Sequence, residues 1–196
     1  MKRADFSEII RVGIVILILL FLLGILFLLR IKSSQRLFQI QNGVGGRLMD
    51  ATETMFFLPE KKSVKEGEEF ELTILFQADK KIINGADAVI FYDPEAFEIT
   101  NIQASAQTGE YFKSYLKKKV DKDKKIIKIT GYQPKESGAL SGEKRFATLK
   151  LKAKKKGFYT LSFDFAAGTT NRSTLVEKET GKNLLKKVIG AEIEVK

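Results

Sequence analysis

From position 51 onward the chain alternates apolar and polar residues with a period of two. Phe70, Leu72, Ile74 and Phe76 alternate with Glu69, Glu71 and Thr73, and Ile127 and Ile129 with Lys128 and Thr130. Ala147, Leu149, Leu151 and Ala153 alternate with Thr148, Lys150 and Lys152; Tyr159, Leu161, Phe163 and Phe165 alternate with Thr160, Ser162 and Asp164. Ala191, Ile193 and Val195 close the chain against Glu192 and Glu194. Successive side chains of an extended strand point to opposite faces, so this pattern predicts strands with one face in a core and the other in water. Turn pairs separate them: Glu66-Gly67, Asn84-Gly85, Asp93-Pro94, Ser137-Gly138, Ser141-Gly142, Lys156-Gly157 and Thr180-Gly181. The prediction is all-β, an antiparallel β-sandwich of the jelly-roll kind with about nine strands over residues 51–196. One stretch breaks the rule: 110–119, EYFKSYLKKK, predicts a short helical insertion.

The first quarter of the chain follows a different pattern. Val12 to Leu29 is an uninterrupted uncharged apolar run, and as a helix its 18 residues span about 27 Å, close to the hydrocarbon thickness of a bilayer. The alternative is a cleaved signal peptide, whose apolar stretch is typically about 7–15 residues and ends at a small-x-small site. Here Arg30-Ile31-Lys32-Ser33-Ser34 follows instead, which predicts an uncleaved anchor. The expected organisation is a short tail (1–11), a single transmembrane helix (12–29), a juxtamembrane linker (30–50) containing Gly43, Gly45 and Gly46, and the strand-rich domain (51–196). Lys2, Arg3 and Arg11 on one side balance Arg30, Lys32, Arg36 and Arg47 on the other, so charge leaves the orientation open.

Composition narrows the chemistry. The chain has no His, no Cys and no Trp, which removes imidazole bases, Ser-His-Asp triads, thiolate nucleophiles, zinc-cysteine sites and disulfides. The net charge is +10, of which the first 47 residues carry +5 and the remainder +5. Over so long a domain the second half reads as an ordinary soluble surface, and no nucleic-acid partner is expected. Ser114/Lys117 and Ser141/Lys144 have the Ser-x-x-Lys spacing, which chance supplies in a chain this rich in lysine. Glu66, Glu68, Glu69, Glu136 and Glu143 lie in or near predicted turns and read as solvated acids. Asp121-x-Asp123 lacks the Gly and Glu of a calcium loop, since Ile126 and Tyr132 fill those places, and reads as a charged hairpin turn. The lysine runs 117–128 and 150–156 read as strand-edge charges that discourage edge pairing. No enzyme activity, catalytic residue, metal or cofactor is expected.

Four segments, in order, resemble cohesin domains: SVKEGEEFELTI (63–74), INGADAVIFYDPEAFEI (83–99), RFATLKLKAKKKGFYTLSF (145–163) and AEIEV (191–195). The second is similar to the third-strand region of that family, where an Asp-bearing strand runs into Tyr-Asp-Pro. The resemblance spans about residues 51–196. It implies a nine-stranded jelly roll that binds dockerin modules and assembles polysaccharide-degrading complexes on bacterial surfaces, with any calcium belonging to the dockerin. It also implies a binding face on one sheet. Asp87 matches the family's strand-three Asp, whereas its Asn position falls on Gly85. A family Glu corresponds to Gln133, and apolar contact positions correspond to Lys128 and Thr130.

Strand parity reaches the same region independently. If Ala88, Ile90 and Tyr92 point inward, then Asp87, Val89 and Phe91 point outward as an apolar patch with a polar handle; alternatively a loop or the 110–119 segment covers Val89 and Phe91. The expected partner-binding set is therefore Asp87, Val89, Phe91, Lys128, Thr130 and Gln133. The expected function is a membrane-anchored, non-catalytic module outside the cell, single-pass, whose partner is a dockerin-like module. Two alternatives stand beside it: carbohydrate binding by stacking on Tyr111, Phe112, Tyr115 and Tyr132, or a structural role against an envelope protein.

Overall fold

The computed structural model describes residues 53–78, 80–133, 139–140 and 142–196. The tail 1–11, the span 12–29 and the linker 30–50 lie outside the described residues, as do the Ser137-Gly138 pair and Ser141. Among the described residues no helix is long and apolar enough to cross a membrane.

Among the described residues twelve strands form two facing sheets: β1 (Thr54–Leu58), β2 (Lys61–Val64), β3 (Glu69–Gln77), β4 (Ile83–Phe91), β5 (Phe97–Gln103), β6 (Ser114–Asp121), β7 (Ile126–Tyr132), β8 (Lys144–Ala153), β9 (Gly157–Phe163), β10 (Thr174–Glu177), β11 (Lys187–Ile189) and β12 (Ala191–Val195). One sheet runs β11-β1-β3-β8-β5. The other runs β2-β12-β9-β4-β7-β6, with β10 also paired to β4. The alternation in the sequence is the burial seen here: Phe70, Leu72, Ile74 and Phe76 of β3, Ile127 and Ile129 of β7, and Ile193 and Val195 of β12 are all buried between the sheets.

The chain changes sheets at both ends of the domain. β1 pairs in parallel with β11, whereas β2, two residues further on, pairs in parallel with β12 in the opposite sheet. The return crossing from β11 to β12 passes through Gly190, whose backbone runs so close to β9 that a Cβ would lie 2.5 Å from the Leu161 carbonyl oxygen. These paired crossings close one side of the sandwich.

Two expectations are corrected. Residues 110–119 are not helical: Tyr111 and Phe112 cross one end of the sandwich and β6 begins at Ser114. The helix-like spacing of Tyr111, Phe112, Tyr115 and Leu116 has two separate causes. Phe112 plugs the core end at zero exposure. The register of β6 against β7 slips between Tyr115 and Lys117, leaving Leu116 as an extra residue, 73% exposed. Asn84-Gly85 is likewise no turn. It lies inside β4, where Gly85 pairs with Tyr132 on one side and Val176 on the other.

Candidate partner-binding face

The outward side of the second sheet is built by β4, β7 and β6. On β4 it presents Asp87, Val89 and Phe91; directly opposite on β7 stand Thr130, Lys128 and Ile126; opposite those on β6 stand Lys117, Lys119 and Asp121. Of the predicted partner-binding residues, five share this face, and they do so for the reason that parity supplied.

Their exposures separate them. Phe91 and Tyr132 are each 41% exposed. Val89, though on the outer side, is buried at 6%, with the 164–173 loop bonded to its backbone and Lys117 and Lys119 of the 110–119 segment lining a cavity with it. That loop is tied down over β4: the Asp164 N–H donates to the Val89 carbonyl at 2.7 Å, and the Ser173 N–H donates to the Asp164 carbonyl at 2.9 Å. The edge of β4 is shared between β9, which pairs near Ile90, and β10, which pairs up to Asp87. Val89 sits in the gap, and the buried Ser173 hydroxyl fills it, accepting from the Val89 N–H at 3.1 Å and reaching its carbonyl at 3.2 Å.

Asp87 is held from two sides. Its N–H donates to Thr174 Oγ1 at 3.2 Å, toward β10, so its pair with Thr130 on β7 is the type without mutual backbone bonds, in which side chains approach most closely. Thr130 Oγ1 accordingly donates to Asp87 Oδ1 at 2.6 Å. Thr174 Oγ1 lies 3.5 Å from Oδ2, so the half-buried carboxylate is oriented on the face by a hydroxyl at each oxygen.

Gln133 differs from the others. It is buried at 8% and its Oε1 accepts from the Lys113 N–H at 3.2 Å while its own N–H donates to the Asn84 carbonyl at 2.8 Å. Its side chain ties the end of β7 to the start of β6, and its backbone ties that end to β4.

Of the sugar-stacking set, Tyr111, Phe112 and Tyr115 pack against one another at the core end, apart from the open Tyr132. Phe112 has zero exposure and packs edge-on to Phe146 with ring centres 5.6 Å apart. Tyr111 meets Phe76 edge-on at 5.4 Å and donates its hydroxyl to the Ile83 carbonyl. Tyr115 donates to the Phe146 carbonyl, and burial pushes its hydroxyl pKa well up. Only Tyr132 of the four keeps a large open surface. The sequence reading missed Phe158, the most open of the exposed aromatics at 83%. It flanks a groove of about 490 Å³ whose lining includes Lys61, Ser63, Thr160, Glu192 and Glu194. Parity could have found it: with Tyr159, Leu161 and Phe163 directed to the core side, Phe158 must point out.

Cross-strand charge pairing at β6–β7 differs from that elsewhere in the sandwich. On the first sheet, lysines face acids across the strands: Glu71 opposite Lys150, Glu69 and Glu98 opposite Lys152. On the second, Lys61 faces Glu192 between β2 and β12, but between β6 and β7 Lys119 stands directly opposite Lys128, a like-charge pair that is destabilising. Among the described residues Lys117 and Lys128 have no carboxylate at ion-pair distance, and Lys119 lies 3.7 Å from Asp121.

The family described as Cohesin domain matches residues 56–195. The chain belongs to the cohesin family. Cohesin domains are non-catalytic protein-binding modules. Solved structures share the fold. A cohesin of Clostridium acetobutylicum superimposes with a TM-score of 0.57 at 16% identity, covering 74% of this chain and 92% of that one. The OlpC cohesin of Clostridium thermocellum, solved in a type I cohesin–dockerin complex, gives 0.58 at 15% identity, covering 77% and 97%. The seventh ScaB type I cohesin of Pseudobacteroides cellulosolvens gives 0.54 at 18%, covering 74% and 92%. No curated protein matches the chain.

Proposed function

We propose that this chain is a membrane-anchored cohesin module that docks a dockerin-bearing partner, outside the cell, on the outward face of β4, β7 and β6. The observation that carries the reading is the face itself: within a cohesin fold, Asp87 shares the outward side of the sheet with Phe91 of its own strand and Tyr132 of β7, two open aromatics, with the carboxylate oriented by Thr130 and Thr174. Rigid aromatics beside an oriented polar group are the usual anchors of a protein interface. The apolar run 12–29 supplies the anchor, and the partner belongs to a polysaccharide-degrading assembly.

The test is binding of the full-length chain in mild detergent to purified dockerin-bearing proteins of the same genome. Binding that falls at least about tenfold on Phe91→Ala or Tyr132→Ala is expected of interface anchors. A folded chain that binds none of them removes the dockerin reading. Protease added to intact cells should digest the sandwich; its full protection would reverse the orientation.

A second reading has its own observation, the open Phe158 beside the groove lined by Glu192 and Glu194. An aromatic face next to carboxylates and hydroxyls suits a sugar ring. Retention on a polysaccharide panel that disappears with Phe158→Ala would support it, and no retention would remove it.

A further inference from the structure

We propose that the β4–β7–β6 face selects an acidic protein partner, one that sets a surface carboxylate into the lysine-walled cavity at the end of the face nearest the β6–β7 turn. This rests on the docking reading of the same face and names the chemistry of what docks.

Charge placement is the first argument. Residues 48–196 carry a net +5, and residues 117–128 alone, with seven Lys against two Asp, account for all of it. The rest of the domain is neutral overall. This hairpin, β6 and β7 with the turn between them, is one of two basic concentrations; the other, residues 150–156 with five Lys, runs through the end of β8, where Lys150 and Lys152 stand opposite Glu71, Glu69 and Glu98. Edge protection explains lysines on β6, the last strand of its sheet. It does not explain Lys128, which lies on β7, an inner strand, opposite Lys119.

The second argument is shape. A cavity of about 290 Å³ opens on this face over Val89 and Ile126, with Lys117, Lys119, Lys124 and Lys128 in its wall. Its two acids are engaged already. Asp121 accepts the Lys124 N–H at 3.0 Å and lies 3.7 Å from Lys119, and Asp164 holds Arg172 at 3.0 Å. The Lys117 and Lys128 ammonium groups thus face the cavity without a local counter-charge, and an incoming carboxylate would relieve the repulsion between Lys119 and Lys128. Elsewhere the fold pairs such lysines internally, as with Lys150 and Glu71 at 3.2 Å or Lys61 and Glu192 at 2.8 Å.

The third argument distinguishes a protein from an anionic polymer. Phe91 and Tyr132, each 41% exposed, share the face with the lysines. A flexible polyanion has nothing apolar to set against them, whereas a folded acidic surface buries both kinds of contact at once.

The experiment titrates the full-length chain in mild detergent against purified dockerin modules chosen to have acidic, neutral or basic docking surfaces, at low and high salt. The acidic modules should bind best, and their affinity should fall about tenfold or more between 50 and 500 mM NaCl. Joint Lys117→Glu, Lys119→Glu and Lys128→Glu replacement should weaken them by about a hundredfold or more, and the corresponding Gln replacements by less. All three positions are solvent-facing, so the melting temperature should hold. A neutral or basic module as the best binder, a flat salt response, or an indifferent triple reversal overturns the acidic partner and leaves the docking reading standing. A folded chain that binds no module of any charge overturns both. Binding of a glycerol-phosphate polymer alone, lost on charge reversal, replaces the protein partner by a polyanion.

Discussion

Gly131→Ala tests the packing beneath the face. Gly131 lies on β7 between Thr130 and Tyr132, and its missing side chain points into the core. A Cβ there would sit 2.7 and 2.9 Å from Cδ2 and Cγ of Phe112 and 2.8 Å from Cε2 of Phe146. Relaxed carbon contacts are about 3.5–4.0 Å, so each ring would have to retreat by about 0.7–1 Å. Neither has room. Both have zero exposure, and Phe112 is hemmed in by Phe76, Tyr111 and Tyr115 at ring separations of 5.7, 5.0 and 6.3 Å. Overpacking of this kind costs about 1–3 kcal/mol, against which the stiffer unfolded chain returns about 0.4–1 kcal/mol. The net expectation is a loss of about 1.3 kcal/mol, or about 3–5 °C in Tm for a domain of this size. All five tyrosines lie between positions 92 and 159, so tyrosine fluorescence reads the sandwich without interference from the N-terminal segment. Phe112→Leu, which frees volume at the contact, should make the double variant more stable than the two single losses predict, by about 1 kcal/mol. A Gly131→Ala protein that melts with its parent, or strictly additive losses, would refute the packing argument.

Three further outcomes follow from the same structure. Gly190→Ala places a Cβ 2.5 Å from a backbone oxygen that no side-chain rotation can move, so it should cost about 3 kcal/mol and lower Tm more than Gly131→Ala does; an equal or smaller drop counts against the crossing as described. Ser173→Ala strips the Val89 N–H of its partner while the Val89 carbonyl keeps the Asp164 N–H, and one orphaned buried donor predicts a loss of about 1–3 kcal/mol in urea denaturation; a loss near zero would mean that Ser173 does not fill the gap beside β4. Asp121 is held below its ordinary 3.8 by the Lys124 N–H, and Glu177 below 4.5 by the Thr180 hydroxyl and then Lys81. Both are depressed, so their stabilisation is complete above those values and is lost as pH falls through the lower folded ones. The denaturation midpoint should decline below about pH 4, and Glu177→Gln should flatten that decline; a midpoint unchanged down to pH 3 would exclude it.

What the sequence makes legible here depends on which surfaces are wet. β3, β7, β9 and β12 each have one face in the core and one in solvent, and alternation identifies them directly. β1 escapes because four of its five residues are buried, leaving an apolar run with no period. β10 and β11 are four and three residues long, too short to display one. The candidate face is partly legible for a related reason. Parity places Asp87, Val89 and Phe91 on one side of β4, but the buried Val89 is tied to Asp164 and Ser173 through backbone and hydroxyl bonds that hydropathy does not register. Gly131 is similar: nothing local distinguishes a glycine that yields space to two rings from one that makes a turn.

The same two-residue period lets the fold persist while the partner chemistry changes. On β7, Ile127 and Ile129 are buried at zero exposure, and Ile126, Lys128, Thr130 and Tyr132 face outward. The inward set answers to the core, where a misfit costs kilocalories. The outward set answers to a partner, and a surface substitution away from special features usually costs within about 0.5 kcal/mol. Lysines can therefore replace apolar contact residues on the outer side without disturbing the packing that defines a cohesin. That decoupling is consistent with a shared fold at 15% identity to the OlpC cohesin.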